Sequence, residues 1–173
     1  MKDQKAILFF LLKFVGLYLI LNTSYSLWIA HYEPQPDPLT IVVTDQTVFL
    51  ISLFEDNVAI GASTNSPHVP VLNNGRTVIR VFEGCNGLNV MIVFISFIVA
   101  FTGTLRKTVL FSIAGFLLIY IFNLFRVGLL YFIAKYYPDN LYFFHKYLFT
   151  GLLYVLVFLL WYFWVSKIWP KKT

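Results

Sequence analysis

Four apolar runs constrain what this chain can fold into: Ala6 to about Ala30, Leu88 to Phe101, Val109 to Ala134 and Tyr147 to Val165. A run of about 20 apolar residues crosses a bilayer as a helix, the one local structure that pairs its own N–H and C=O groups away from water. Of the 173 residues, 59% are hydrophobic and 12% charged, which leaves no soluble domain of ordinary size. The sequence therefore predicts an all-α integral membrane protein of about four transmembrane helices. The first run follows the basic leader Met1 to Lys5 and is interrupted by Lys13 and by Asn22 to Ser26. It is long and closes without a small-x-small site, so it reads as a retained helix over 6–30 and not as a cleaved signal peptide.

The net charge of +5 does not describe a nucleic-acid surface, because the basic residues punctuate apolar runs and do not cluster on a polar domain. Their placement reads as topology. Lys2, Lys5, Lys13, Arg106, Lys107, Lys167, Lys171 and Lys172 fall at the two ends and the middle turn. Seven of the eight acids fall in the other two connections. Arg76, Arg80, Lys135 and Lys146 lie with those acids, so the bias is a majority. The positive-inside tendency then puts both termini and the Arg106 turn in the cytoplasm, and the 31–84 segment and the Pro138 turn outside.

Within the outer segment, His31 to Pro38 holds three prolines and reads as a turn. Thr44 to Thr47 reads as the cap of a short amphipathic helix carrying Val48, Ile51, Leu53 and Phe54, and Ser63 to Pro70 as a loop. Val69 to Leu72 and Thr77 to Phe82 flank Asn73-Asn74-Gly75-Arg76, a strong hairpin signal. The second strand of that hairpin leads straight into the stretch Phe82-Glu83-Gly84-Cys85-Asn86-Gly87-Leu88-Asn89.

Cys85 is the sole cysteine, which excludes an intramolecular disulfide, a CxxC pair and a thiolate-rich metal site. A lone cysteine is ordinarily inert packing, so its weight comes from its company. A helix beginning just after it would aim its positive end at the sulfur. Counting from the cytoplasmic ends, Cys85 lies 19 residues before Thr104, Arg126 lies 19 after Lys107, and His145 lies 21 before Ser166. At about 1.5 Å per residue these residues share a depth of roughly 28 to 32 Å, near the outer edge of the hydrocarbon. Asn123 falls on the same helical face as Arg126 and can hold its guanidinium. Taken singly, Arg126 also fits a snorkelling arginine and His145 an interfacial residue. His31 and His68 have no ligand spacing, so no metal or other cofactor is expected.

Three segments then carry a family likeness. Glu83-Gly84-Cys85-Asn86-Gly87-Leu88, Asn123-Leu124-Phe125-Arg126-Val127, and His145 with Gly151 six residues on resemble, in order, the three motifs of the exosortase/archaeosortase family. The resemblance covers about Val81 to the end. It implies an integral membrane cysteine transpeptidase or protease with Cys85 as nucleophile, Arg126 and His145 as catalytic partners, and Asn86 and Asn123 in support. The implied partners are exported proteins ending in a short motif, a transmembrane helix and a basic tail. The domain plan becomes a single membrane domain over 1–173, with the 31–84 segment outside and a three-helix catalytic core over 86–165. The chain is short for the family and resembles compact members such as the F-type exosortases. Asn86 stands where serine is common, and Lys146 where an acid often follows the histidine. The competing reading is a non-enzymatic membrane assembly or scaffold subunit, for which Cys85 would be dispensable. A transporter fits less well, since Lys13 is the sole charge near a midplane. Lipidation at Cys85 also fits poorly, because no hydrophobic signal region precedes it.

Overall fold

The computed structural model describes residues 2–63, 65–101 and 103–168. Met1, Thr102, Lys171 and Lys172, which enter the reading of the leader, the middle turn and the tail, lie outside those residues.

The order of elements is α1 (Lys2–Ala30), α2 (Pro38–Ser52), β1 (Val58–Ile60), β2 (His68–Asn73), β3 (Arg76–Phe82), α3 (Leu88–Ala100), α4 (Leu105–Tyr136) and a last helical span, α5 (Pro138–Ser166). The chain is mostly helical with a small sheet, the membrane all-α class the sequence predicts. Three helices are long and apolar enough to cross a bilayer, namely α1 from Gln4, α4 and α5. The stretch expected to supply another span, Leu88 to Phe101, forms a helix of 13 residues. It rises only about 20 Å against a hydrocarbon thickness of about 30 Å. Its length is set by its ends: Gly87 precedes it at φ 81°, and Phe101 turns extended at ψ 102°.

Helices α3, α4 and α5 meet around Met91, Phe94, Ile98, Ile119, Leu153 and Val157, closed at the foot by buried Trp164. Gly115 makes that meeting possible. A Cβ there would lie 2.2 Å from the Phe94 ring. Helix α1 lies against α3 with Phe10 edge-on to Phe97 and Phe101 at 5.4 and 4.8 Å, while most of its remaining surface is exposed apolar side chain, as a lipid-facing helix requires.

A second core sits over the far half of α4. Ile51 of α2, Val71 and Val81 of the sheet, and Val127 and Tyr131 of α4 pack together there. The sheet is antiparallel in the order β1, β2, β3. The hairpin expected from Asn-Gly is present: Asn74 and Gly75 both have positive φ, 49° and 77°, the turn whose twist matches the flanking strands. β1 was not legible, being three residues long with no alternation to reveal it. Helix α2 starts earlier than Thr44. Asp37 caps it, its carboxylate accepting from Thr40 N–H at 3.0 Å with Pro38 in the first turn. Thr44 and Thr47 are mid-helix, and their hydroxyls donate back to Thr40 and Val43 carbonyls. At the other end of α2, Lys135 of α4 joins the chain after that helix to the sheet, donating to Glu55 and, at 3.2 Å, to Asn73 Oδ1.

The last span also begins earlier than its apolar run, since the Pro138 turn leads straight into helix and Tyr147 lies well inside it. A wide π-helical turn at Phe144–Leu148 interrupts it.

Candidate active site

β3 delivers the chain to a 3-10 turn, Glu83–Cys85, and the following Asn86 and Gly87 turn it into α3. Gly87 is required twice over. Its φ of 81° favours glycine, and a Cβ there would approach Asn123 Cγ to 2.9 Å. That close approach lets Asn123 of α4 donate from Nδ2 to the Cys85 carbonyl at 2.8 Å, while its Oδ1 accepts from Arg126 Nη1 at 3.3 Å. Asn123 is fully buried and Arg126 is 7% exposed.

Asn86 is held from the other side. Its Oδ1 accepts from Leu88 N–H at 2.9 Å, and its Nδ2 donates to Tyr25 Oη at 2.6 Å and Thr40 Oγ1 at 3.3 Å. Thr40 in turn donates to the buried Asp37 carboxylate at 2.5 Å. A polar chain therefore ties α1 and the start of α2 to the residue beside the thiol. The leading amide of α3 is taken by the Asn86 side chain, so the structure gives the sulfur no direct bond from that helix end.

What faces the sulfur is His145. Its Nε2 lies 3.8 Å from Cys85 Sγ, across 60 residues of sequence. The π-helical turn carries the ring, and Thr150 Oγ1 donates to the His145 carbonyl at 3.0 Å. A widened turn of this kind re-aims a side chain that a regular helix would point elsewhere. Arg126 lies within electrostatic range of both Cys85 and His145. Its Nε is buried with no hydrogen-bond partner, and among the described residues the one ion pair is Lys135 with Glu55, so no carboxylate neutralises it. A buried cation with an unused donor is a group awaiting an anion.

The structure thus brings the three candidate catalytic residues and both supporting asparagines into one region. Lys146 turns away, donating to Tyr142 Oη at 2.6 Å. His31 lies against Tyr32, and His68 bonds Ser66 and packs on Phe82 at 5.2 Å, neither in the site. Sequence reasoning missed Tyr25, Asp37 and Thr40. Tyr25 belongs to the polar interruption in the first run, and that interruption was its signal.

A cleft of about 680 Å³ is lined by Cys85 and His145 together with β3 and with Leu130, Leu141 and Tyr142 of the helices. Its volume is in the range of specific ligand sites. No curated protein and no solved structure matches the chain. The family model described as transmembrane exosortase matches residues 5–164, taking in the sheet, all but the chain-terminal ends of the first and last helices and every residue of this site, and the chain belongs to that family.

Proposed function

We propose that this protein is a membrane-embedded cysteine transpeptidase or protease that cleaves a C-terminal sorting signal from exported proteins at the outer face of the membrane. The family carries the general activity, sorting-related transpeptidation in the membrane. The observation that most supports the finer reading is the 3.8 Å approach of His145 Nε2 to Cys85 Sγ beside a buried, unneutralised Arg126.

The chemistry follows from those groups. His145 Nε2 takes the thiol proton and Sγ attacks the carbonyl carbon of the scissile peptide, forming a C–S bond while the carbonyl π electrons move to oxygen. Arg126 donates to that oxyanion, and a fixed cation in a poorly hydrated site stabilises it more than water does. The intermediate collapses, the C–N bond breaks, and the leaving amine takes the proton from His145. A thioester on Cys85 remains. Water attack completes a protease cycle, and attack by an amine or hydroxyl completes a transpeptidase cycle. In either case His145 accepts the nucleophile's proton and the thiolate departs. Asn123 holds Arg126 and the Cys85 backbone in register.

The test is a comparison of membrane proteins from cells carrying wild type or Cys85→Ala, by mapping their C-terminal peptides. Substrates should keep their C-terminal hydrophobic helix only in the variant. Identical C-termini, with the variant present at normal abundance, would contradict the enzyme and favour the scaffold reading.

A further inference from the structure

β3 is an edge strand, and its free edge faces the cleft. The sheet order leaves it paired on one side only, and six consecutive residues, Thr77 to Phe82, line the cleft that ends at Cys85 and His145. The ladder fixes which backbone groups point there. Pro70 pairs with Arg80, yet the Pro70 carbonyl accepts from Gly61 N–H at 2.8 Å, on the side away from β3. His68 pairs with Phe82, and its carbonyl likewise accepts from Ser63 at 2.8 Å. Both pairs are therefore of the non-hydrogen-bonded kind, in which each residue turns its N–H and C=O outward. Arg80 N–H and C=O, and Phe82 N–H, project from the free edge.

We propose that the substrate enters as an extended segment that adds a fourth strand to β3, hydrogen-bonded to the Arg80 and Phe82 backbone, and so carries its scissile carbonyl to Cys85. The inference rests on the peptidase reading above and adds how the peptide is held. An exposed edge is a ready template for an extended chain, with backbone bonds supplying affinity. The occupant is a free peptide segment and not the sheet edge of a second copy, because helical Leu130, Leu141 and Tyr142 line the same cleft as β3 and the groove runs to Cys85 and His145.

The pairing gives a selective test. Proline at position 80 removes the outward N–H but no ladder bond to β2, so the sheet tolerates it; Arg80→Ala removes the side chain and keeps the N–H. The full chain in lipid nanodiscs is treated with a pool of pentapeptidyl vinyl sulfones of mixed sequence, the same pool with its backbone amides N-methylated, or iodoacetamide. Adducts on Cys85 are timed by mass spectrometry. The unmethylated pool should react about tenfold faster than the methylated one, the effect of losing one or two backbone bonds. Arg80→Ala should keep that preference, Arg80→Pro should lose it, and all three proteins should react alike with iodoacetamide. Equal rates for the two pools, or an undiminished preference in Arg80→Pro, would overturn strand addition while leaving the nucleophile reading intact. A Cys85 inert to iodoacetamide would contradict the nucleophile reading itself. Disulfide formation between two copies of a Cys85→Ala, Arg80→Cys double variant, uncompeted by the pool, would assign the edge to a second copy and also overturn the proposal.

Discussion

Asn123 binds the backbone of Cys85: its Nδ2 donates to the Cys85 carbonyl at 2.8 Å, and its other amide atom accepts from Arg126. One buried side chain thus sets the spacing between the sulfur and the guanidinium. Asn123→Ala should cut turnover by about tenfold to a hundredfold, the scale of losing a positioned donor. Asn123→Asp should do at least as much harm, since it cannot donate to the carbonyl. Steady-state processing checks this, with kcat falling and KM nearly unchanged if Asn123 positions and does not bind substrate.

Gly87→Ala tests the turn that allows this contact. The left-handed backbone costs a non-glycine residue about 1 to 2 kcal/mol. The new methyl also meets Asn123 at 2.9 Å, so one of the two must move. Thermal unfolding in detergent should show lower stability, and the Asn123 contact should be lost. Gly84→Ala, with nothing within 4 Å of its Cβ, is the harmless control.

Arg126→Lys keeps the charge and loses the planar set of donors, including the unpartnered Nε. Processing should fall about a hundredfold or more at normal protein abundance. Activity near that of wild type would remove Arg126 from the oxyanion.

His145→Ala should lower turnover by about 10² to 10⁴, the scale of general acid–base catalysis. Its remaining activity should climb at higher pH than that of wild type, because the thiol must then ionise unaided. The pH profile separates this from a misfolded variant, which would lose activity at every pH.

Much of the site was legible because it is written in spacing. Cys85 and His145 meet at 3.8 Å, although Cys85 sits in the turn before α3 and not on that helix, and Asn123 accepts from Arg126 one helical turn away, as its position implied. The hairpin was legible from Asn74 and Gly75, whose preference for positive φ is local. What was hidden depends on contacts distant in sequence. The role of Asp37 as the α2 cap was obscured by the proline-rich turn around it, and the Tyr25 to Asn86 bond joins residues 61 apart. The widened turn at Phe144–Leu148 has no glycine or proline to announce it, and α3 falls short of the 19 residues between Cys85 and Thr104 because Cys85 to Gly87 form a turn and Phe101 turns extended.

Glu55 gives a pH prediction outside the spans. Hydrogen bonds from Lys135 and then Tyr136 hold its carboxyl below the usual glutamate range. A carboxyl whose folded value is depressed stabilises the fold above its unfolded value and loses that stabilisation as pH falls through the folded one. Protection of the β2 and β3 amides against hydrogen exchange, taken relative to the intrinsic rate at each pH, should therefore fall below about pH 4, the ordinary glutamate value being about 4.3. Glu55→Gln should exchange faster at neutral pH and show less of this acid dependence.

A thioester on Cys85 is read most directly in acid-quenched protein from membranes rich in substrate. Wild type should carry a peptidyl mass on Cys85 that hydroxylamine releases, ending at the same residue as the mature C-termini of the processed proteins. Product accumulating with Cys85 free of any peptidyl adduct, and still accumulating in Cys85→Ala, would contradict it.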